Sequence, residues 1–475
     1  MDMSQQRSSH ELQRTLKSRH LFMISLGGII GTGLFLGSGY TISQAGPIGA
    51  VISYLVGGFI MYLTMLCLGE LSVAMPVSGS FQTYTTKFIS PAMGFTIGWL
   101  YWLGWAVTVA LELLSSGLLM QRWFPDSPVW MWCAIFGIVL FLLNALSAKA
   151  FGETEFWFSS FKVAAILAFI VLGGAAMFGV IPFRSGETAP MLSNFAETSW
   201  LPNGITGLLL TMITVNFSFQ GTELIGIAAG ESDNPEKNIP KSIRATVWRT
   251  LIFFVLAITI LAGLIPHQQA GVVESPFVMV FDKIGIPYAA DIMNFVILTA
   301  LLSVANSGLF AATRMLWSLS KTDMASPTLG KVNKKGVPMN ALLLTFSISL
   351  LSLLSSVFAE NTVYLWLISL AGLGAQVGWI SISASQLAFR KHYLKNGGKL
   401  RDLKFRTPFY PILPLISLTL NLVVLISLAF DKDQRIALYC GGVFALFCLL
   451  YYFLRIKRKP MTNNPPEDDK TYHII

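Results

Sequence analysis

Twelve apolar runs, each close to the length of a membrane-crossing helix, organise this chain of 475 residues. A helix needs about 20 mostly apolar residues to cross roughly 30 Å of hydrocarbon. With glycine, proline and charge as punctuation, such runs lie near 21–44, 48–74, 92–120, 129–147, 157–181, 203–230, 247–265, 288–316, 338–358, 362–389, 409–429 and 434–454. Only 12% of the residues are charged and 54% are hydrophobic, whereas a soluble domain carries about 25% Asp, Glu, Lys and Arg to cover its surface. A water-soluble enzyme of this size is therefore excluded. Disorder is excluded by the apolar content, and a disulfide scaffold by a count of four cysteines.

The charges decide the orientation. There are 33 basic and 24 acidic residues, a formal net charge of +9. With the N-terminus placed in the cytoplasm, 27 of the basic residues fall in inner tails and loops and 5 in outer loops (Arg122, Arg184, Lys283, Lys432 and Arg435). That asymmetry is what the positive-inside rule demands of a chain with both termini cytoplasmic. The basic excess is thus an orientation signal and not a nucleic-acid patch. Residues 1–20 are polar and mixed in charge, and the apolar run after them is too long for the core of a cleavable signal. Cys67, Cys133, Cys440 and Cys448 fall in the runs and read as small buried hydrophobes. The five histidines sit in tails and loops, which supports neither a metal site nor a histidine proton relay.

Two of the runs share an unusual feature. The first contains Gly27-Gly28-Ile29-Ile30-Gly31-Thr32-Gly33, and the sixth contains Gln220-Gly221-Thr222-Glu223 followed by Gly226 and Gly230. Glycine costs about 1 kcal/mol against alanine inside a helix, so these stretches unwind cheaply. They open runs 1–5 and runs 6–10, and five crossings per half make the halves inverted. Paired interruptions in corresponding positions of two halves are the best sequence pointer to a secondary transporter's site. Free amides at such a break suit a carboxylate. The competing reading is that Gly27, Gly31, Gly33 and Gly37 are helix-packing faces.

Three ionisable residues are expected within the hydrocarbon, Glu112, Lys162 and Glu223, where each costs at least about 2.5–3.5 kcal/mol. Glu223, beside Gly221 and Thr222, can meet a substrate ammonium, carry a proton or cap the interrupted helix. Glu112 can recognise a cationic side chain or pair with a neighbouring helix. Lys162 either snorkels to the interface or is a buried amine that exchanges a proton. Tyr101, Trp102, Trp105, Phe217 and Phe219 are candidate pocket aromatics, although most aromatics in such a chain are packing. Asn306 reads as interhelical glue.

The run from Arg19-His20-Leu21 to Gly31-Thr32-Gly33-Leu34-Phe35 resembles the first helix of bacterial amino-acid permeases of the amino acid–polyamine–organocation superfamily. So do Leu68-Gly69-Glu70-Leu71, Pro76-Val77-Ser78-Gly79-Ser80-Phe81 and Gly221-Thr222-Glu223-Leu224-Ile225-Gly226. Glu231, Asn234-Pro235, Ile239-Pro240 and Asn306-Ser307-Gly308 with Arg314 continue the pattern. The similarity is strongest to the branch for histidine, arginine and ornithine, lysine and S-methylmethionine. It implies proton-driven import, with the substrate carboxylate on the backbone of Ile30, Gly31, Thr32 and Gly33. It places the amino group on helix-six carbonyls from Phe217 and Ser218 to Gly221. Lys162 matches the proton-linked lysine, Glu223 an acid implicated in lysine recognition, and Tyr101 and Trp105 pocket aromatics. Glu112 leaves the substrate side chain open.

The expected architecture is all-α and integral to the membrane, with twelve transmembrane helices, interrupted helices 1 and 6, and a leucine-transporter-like five-plus-five inverted repeat. The first repeat covers 21–181 and the second 203–389, followed by two helices over 409–454, with cytoplasmic tails at 1–20 and 455–475. The expected function is a multi-pass plasma-membrane permease that imports histidine or a basic amino acid by proton symport and alternating access. The alternatives are an amino-acid/product exchanger, such as arginine for ornithine, or a permease for another amino acid such as S-methylmethionine. No catalytic residues, cofactor, metal or nucleic acid are expected; the partners are the amino acid and the lipid bilayer. A membrane-embedded enzyme lacks a suitable His/Asp/Cys constellation, and a sensor lacks an output domain.

Overall fold

The computed structural model describes residues 28–457, apart from 78, 147, 185, 233, 272–274, 334, 359, 432 and 433, and leaves out the side chains of 148–156, 231 and 361. The tail over 1–20, the motif from Arg19 to Gly27, Ser78, the Glu231 side chain and the chain after 457 lie outside the described residues.

The regular elements of the described residues are helices. The first half holds α1 (Thr32–Phe35), α2 (Gly37–Ala74), α3 (Ser80–Phe88), α4 (Pro91–Met120), α5 (Val129–Asn144) and α6 (Ala148–Met177). After these come α7 (Gly204–Ser218), α8 (Leu224–Ala228), α9 (Pro235–Leu264), α10 (Pro276–Ile284) and α11 (Ala289–Lys321). The chain ends in α12 (Met339–Ser349), α13 (Glu360–Lys395), α14 (Ile412–Ser427) and α15 (Arg435–Tyr451). Among the described residues, nine helical stretches are long and apolar enough to cross a membrane, and α5 and α7 are shorter apolar helices.

The surface says which solvent the fold needs. On α15 only Ala437, Gly441 and Cys448 are buried, while Tyr439, Val443, Leu446, Phe447 and Leu450 face outward. Apolar faces this continuous are stable in hydrocarbon and not in water. Cys440 corrects one expectation, because it is exposed whereas Cys67, Cys133 and Cys448 are buried. It shares the outward face of α15, where a thiol meets apolar surroundings as readily as in a core.

α4 has the opposite character, since it is buried around nearly its whole circumference. Its start is fixed locally: the Ser90 hydroxyl accepts the Met93 amide at 3.2 Å, and Pro91 fills the first helical position. Glycines then let neighbours approach it. A Cβ on Gly104 would lie 2.7 Å from the Gly374 Cα of α13, so the two backbones touch there. The gap between the first two apolar runs is a kink inside α2 at Gly46 (φ 76°) and Pro47. A side chain at Gly46 would also strike the Pro202 ring at 2.5 Å.

Buried polar contacts tie the helices together. Asn144 of α5 donates to Asn306 of α11 at 2.6 Å, the interhelical role read for Asn306. Glu70, at the end of α2, is fully buried and binds Arg390 of α13. It also accepts the Arg390 Nε at 2.6 Å, Gln386 Nε2 at 3.1 Å and the Thr407 amide at 2.6 Å. The sequence marked Glu70 only as part of a motif and counted Arg390 among the inner-loop charges; mutual pairing buries both. Because Glu70 has four donors around it, removing it strands the Arg390 charge. Glu70→Ala is expected to cost about 3–5 kcal/mol, whereas the double replacement Glu70→Met with Arg390→Met costs far less than the sum of the single changes. Thermal unfolding of the protein in lipid, for both single variants and the double, measures the difference.

Candidate functional site

The two glycine-rich stretches are where regular helix fails. Residues 30 and 31 form a bend between a helical turn at 28–29 and α1. Phe219 to Glu223 form turns between α7 and α8, with Gly221 at φ 103°. The stretches lie against each other. A Cβ on Gly221 would fall 2.6 Å from the carbonyl of Gly28, and one on Gly33 2.6 Å from the Ser218 Cα. Only hydrogen side chains allow this backbone-to-backbone crossing, and Gly221 also needs the left-handed conformation.

Each stretch gives a backbone amide to a buried carboxylate. The Thr32 amide donates to both Glu112 oxygens, at 3.2 and 3.3 Å, and the Thr32 hydroxyl donates to Oε2 at 2.8 Å. The Gly221 amide donates to Glu223 Oε2 at 3.0 Å. Glu223 also accepts the Tyr101 hydroxyl at 2.8 Å and the Trp379 indole at 3.2 Å. Both carboxylates are buried, and burial without such partners would be prohibitive.

A cavity of about 10 Å³ lies at the crossing, room for about one water molecule. Gly28, Ile29, Gly31 and Gly33 line it from the first stretch, and Phe217 and Gln220 from the second. Trp105, Thr108 and Glu112 of α4 and Val304 of α11 complete it. The α4 residues follow from spacing: Tyr101, Trp105, Thr108 and Glu112 recur at four, three and four residues, one helical face.

The structure therefore brings together only part of the sequence-based set. Gly31, Gly33, Trp105, Glu112 and Phe217 line the cavity. Thr32 is held by Glu112, and Ile30 is buried beside it without lining the cavity. Ser218 packs on Gly33 and meets the Tyr54 hydroxyl at 3.1 Å. Tyr101, Gly221 and Glu223 form a neighbouring cluster outside the lining. Phe219 packs at a tilt against Tyr54 and Phe254 and does not line the cavity. Trp102 donates to Thr345 at 3.0 Å on another face of α4. Lys162 is fully buried and does not line the cavity. Of the lining residues, the sequence-based site set lacked Gly28, Ile29, Thr108, Gln220 and Val304, although Gly28 and Ile29 stood in the recognised glycine-rich stretch. The helical spacing of Tyr101, Trp105 and Glu112 could have pointed to Thr108, and Gln220 stands beside a recognised glycine; nothing marks Val304, an ordinary aliphatic in an apolar run.

A small cavity where the two glycine-rich stretches meet, inside a bundle clothed in apolar side chains, fits a membrane transport protein, and the comparisons with known proteins agree. The sequence profile of the family described as "Amino acid permease" matches residues 20–465. The chain is 65% identical over 462 residues to the amino-acid permease RocE of Bacillus subtilis (strain 168), covering 97% of this chain and 99% of that protein. It is 59% identical over 453 residues to a putative histidine permease of the same organism, covering 95% of both. It is 43% identical over 453 residues to the lysine-specific permease LysP of Escherichia coli (strain K12), covering 94% of this chain and 92% of LysP. The chain belongs to the amino acid permease family.

The crossing gives a sharp mutational contrast. Gly33→Ala is expected to lower amino-acid uptake about 100-fold, because its Cβ meets backbone at 2.6 Å and displaces the site. Gly174→Ala, whose nearest neighbour lies at an ordinary 3.7 Å, leaves uptake within about twofold. Uptake normalised to the amount of protein in the membrane compares them.

Proposed function

We propose that the chain is a secondary active permease that imports histidine or a basic amino acid, arginine, ornithine or lysine, together with a proton. One observation carries the reading: the two glycine-rich stretches, where regular helix fails, meet at a small cavity lined by the buried Glu112. Unwound backbone within a membrane is tolerated where it lines such a cavity. A charged amine kept away from both lipid and water is a functional group by default. The proposed frame is twelve membrane crossings in a five-plus-five inverted repeat with two further helices, both termini in the cytoplasm, and alternating access around the crossing.

In this reading the substrate carboxylate binds the amides from Ile30 to Gly33, and its ammonium the carbonyls from Phe217 to Gly221. Trp105 and Phe217 bound the side chain. Lys162 carries the coupled proton. Glu223, with Tyr101, anchors the second interruption, since its oxygens already have three donors. The substrate class draws on relatives named for histidine and lysine together with the branch the motifs resemble. The sequence's alternative of S-methylmethionine keeps the same carboxylate and ammonium contacts.

The test is uptake into vesicles loaded with no amino acid, with the outside acidified. Accumulation of labelled histidine, arginine or lysine that collapses with a protonophore is expected. Uptake that requires amino acid inside would establish exchange and overturn symport. Lys162→Ala is expected to abolish gradient-driven accumulation while leaving exchange of labelled for unlabelled substrate, measured in vesicles preloaded with amino acid.

A further inference from the structure

Glu112 occupies the donors that an incoming amino acid is proposed to use. Its carboxylate takes the Thr32 amide and hydroxyl together, through contacts of 2.8 to 3.3 Å. The fit is close on the other side as well, because a Cβ on Gly31 would come within 2.8 Å of Glu112 Oε1. A side-chain carboxylate and an amino acid's carboxylate present the same two oxygens and the same charge. With a cavity of about 10 Å³, a substrate cannot enter beside Glu112 without moving it.

A second observation is an unmet polar group in the cavity. Among its lining side chains, Gln220 keeps its buried Oε1 without a partner. The Thr108 hydroxyl donates to the Gly104 carbonyl at 2.9 Å, so it accepts from Gln220 Nε2, at 3.5 Å. That leaves Oε1 as the free end of the amide. An unused acceptor in a buried place is costly unless something polar comes to meet it.

We infer that Glu112 is a tethered stand-in for the substrate's carboxylate. It holds Thr32 in the contracted arrangement, is displaced when the substrate's carboxylate arrives, and reclaims Thr32 to drive the substrate off. The inference rests on the permease reading of the cavity. Glu112 is accordingly a positioning residue that competes with the substrate and does not grip it.

The test compares ligands with and without the carboxylate. Affinities of the full-length protein in lipid nanodiscs are measured calorimetrically for histidine and histamine, arginine and agmatine, and lysine and cadaverine. Glu112→Ala is expected to raise affinity for the transported amino acid about tenfold, and Glu112→Gln, whose carbonyl still accepts from Thr32, by less. The amines, which have no carboxylate to place on Thr32, change less than about twofold. In vesicles KM and kcat of Glu112→Ala fall together, because nothing ejects the bound substrate. Loss of affinity for amino acid and amine alike would show Glu112 gripping the ammonium and overturn the inference, as would unchanged affinity for both. Glu112→Gln, which keeps the side-chain shape, must show the same order on its own. If no amino acid binds the wild type, the permease reading falls, and the inference with it; unequal binding of acid and amine isolates the inference alone.

Discussion

Inside hydrocarbon a backbone amide has no water to fall back on, so a helix that stops must find another acceptor for the amides it frees. Both interruptions in this chain solve the problem in the same way. The first gives the Thr32 amide to Glu112 and the second gives the Gly221 amide to Glu223. Each carboxylate in turn needs donors, and these come from elsewhere in the bundle, notably Tyr101 of α4 and Trp379 of α13 for Glu223. Much of the polar interior follows from this one requirement. It also explains why α4 is so central, since one helix supplies both Glu112 and the Tyr101 that steadies Glu223.

The glycines and the carboxylates work as pairs. Gly28 against Gly221 and Gly33 against Ser218 set how closely the two stretches cross, and the acids then fix what that crossing exposes. Farther out, Glu70 with Arg390 and Asn144 with Asn306 do the same for whole helices. Polar groups buried in pairs hold a register that apolar packing against lipid cannot specify, because lipid tails are as apolar as leucine.

The sequence made the bundle legible because its punctuation is physical. Gly46 and Pro47 separate the first two apolar runs, and the chain kinks there. The interruptions were visible for the same reason, since Gly27 to Gly33 and Gly221 make poor helix. Partners were not visible. Periodicity puts Glu112 on a helical face with Trp105 but does not say that the face meets Thr32. Glu223 announced itself as an intramembrane acid, yet its saturation by Tyr101 and Trp379 depends on α4 and α13 touching at Gly104 and Gly374. Glu70 escaped notice because it stands at the end of its run, where a solvated charge and a buried ion pair read alike.

Arg122, just after α4, grips Asp282 of α10 through two hydrogen bonds, at 2.8 and 2.9 Å, and Asp291 of α11 through a third at 2.7 Å. The segment it clamps lies against α1, since the Ser275 hydroxyl, just before α10, donates to the Phe35 carbonyl at 2.8 Å. Unlike the buried acids, these side chains are a quarter to a half exposed. Dissolved ions therefore reach them, and charges of this kind are screened over about 10 Å in 0.1 M salt. The firmness with which α10 sits over the bundle thus belongs partly to the surrounding electrolyte. A dilute medium tightens it and a briny one loosens it, without a change in any residue.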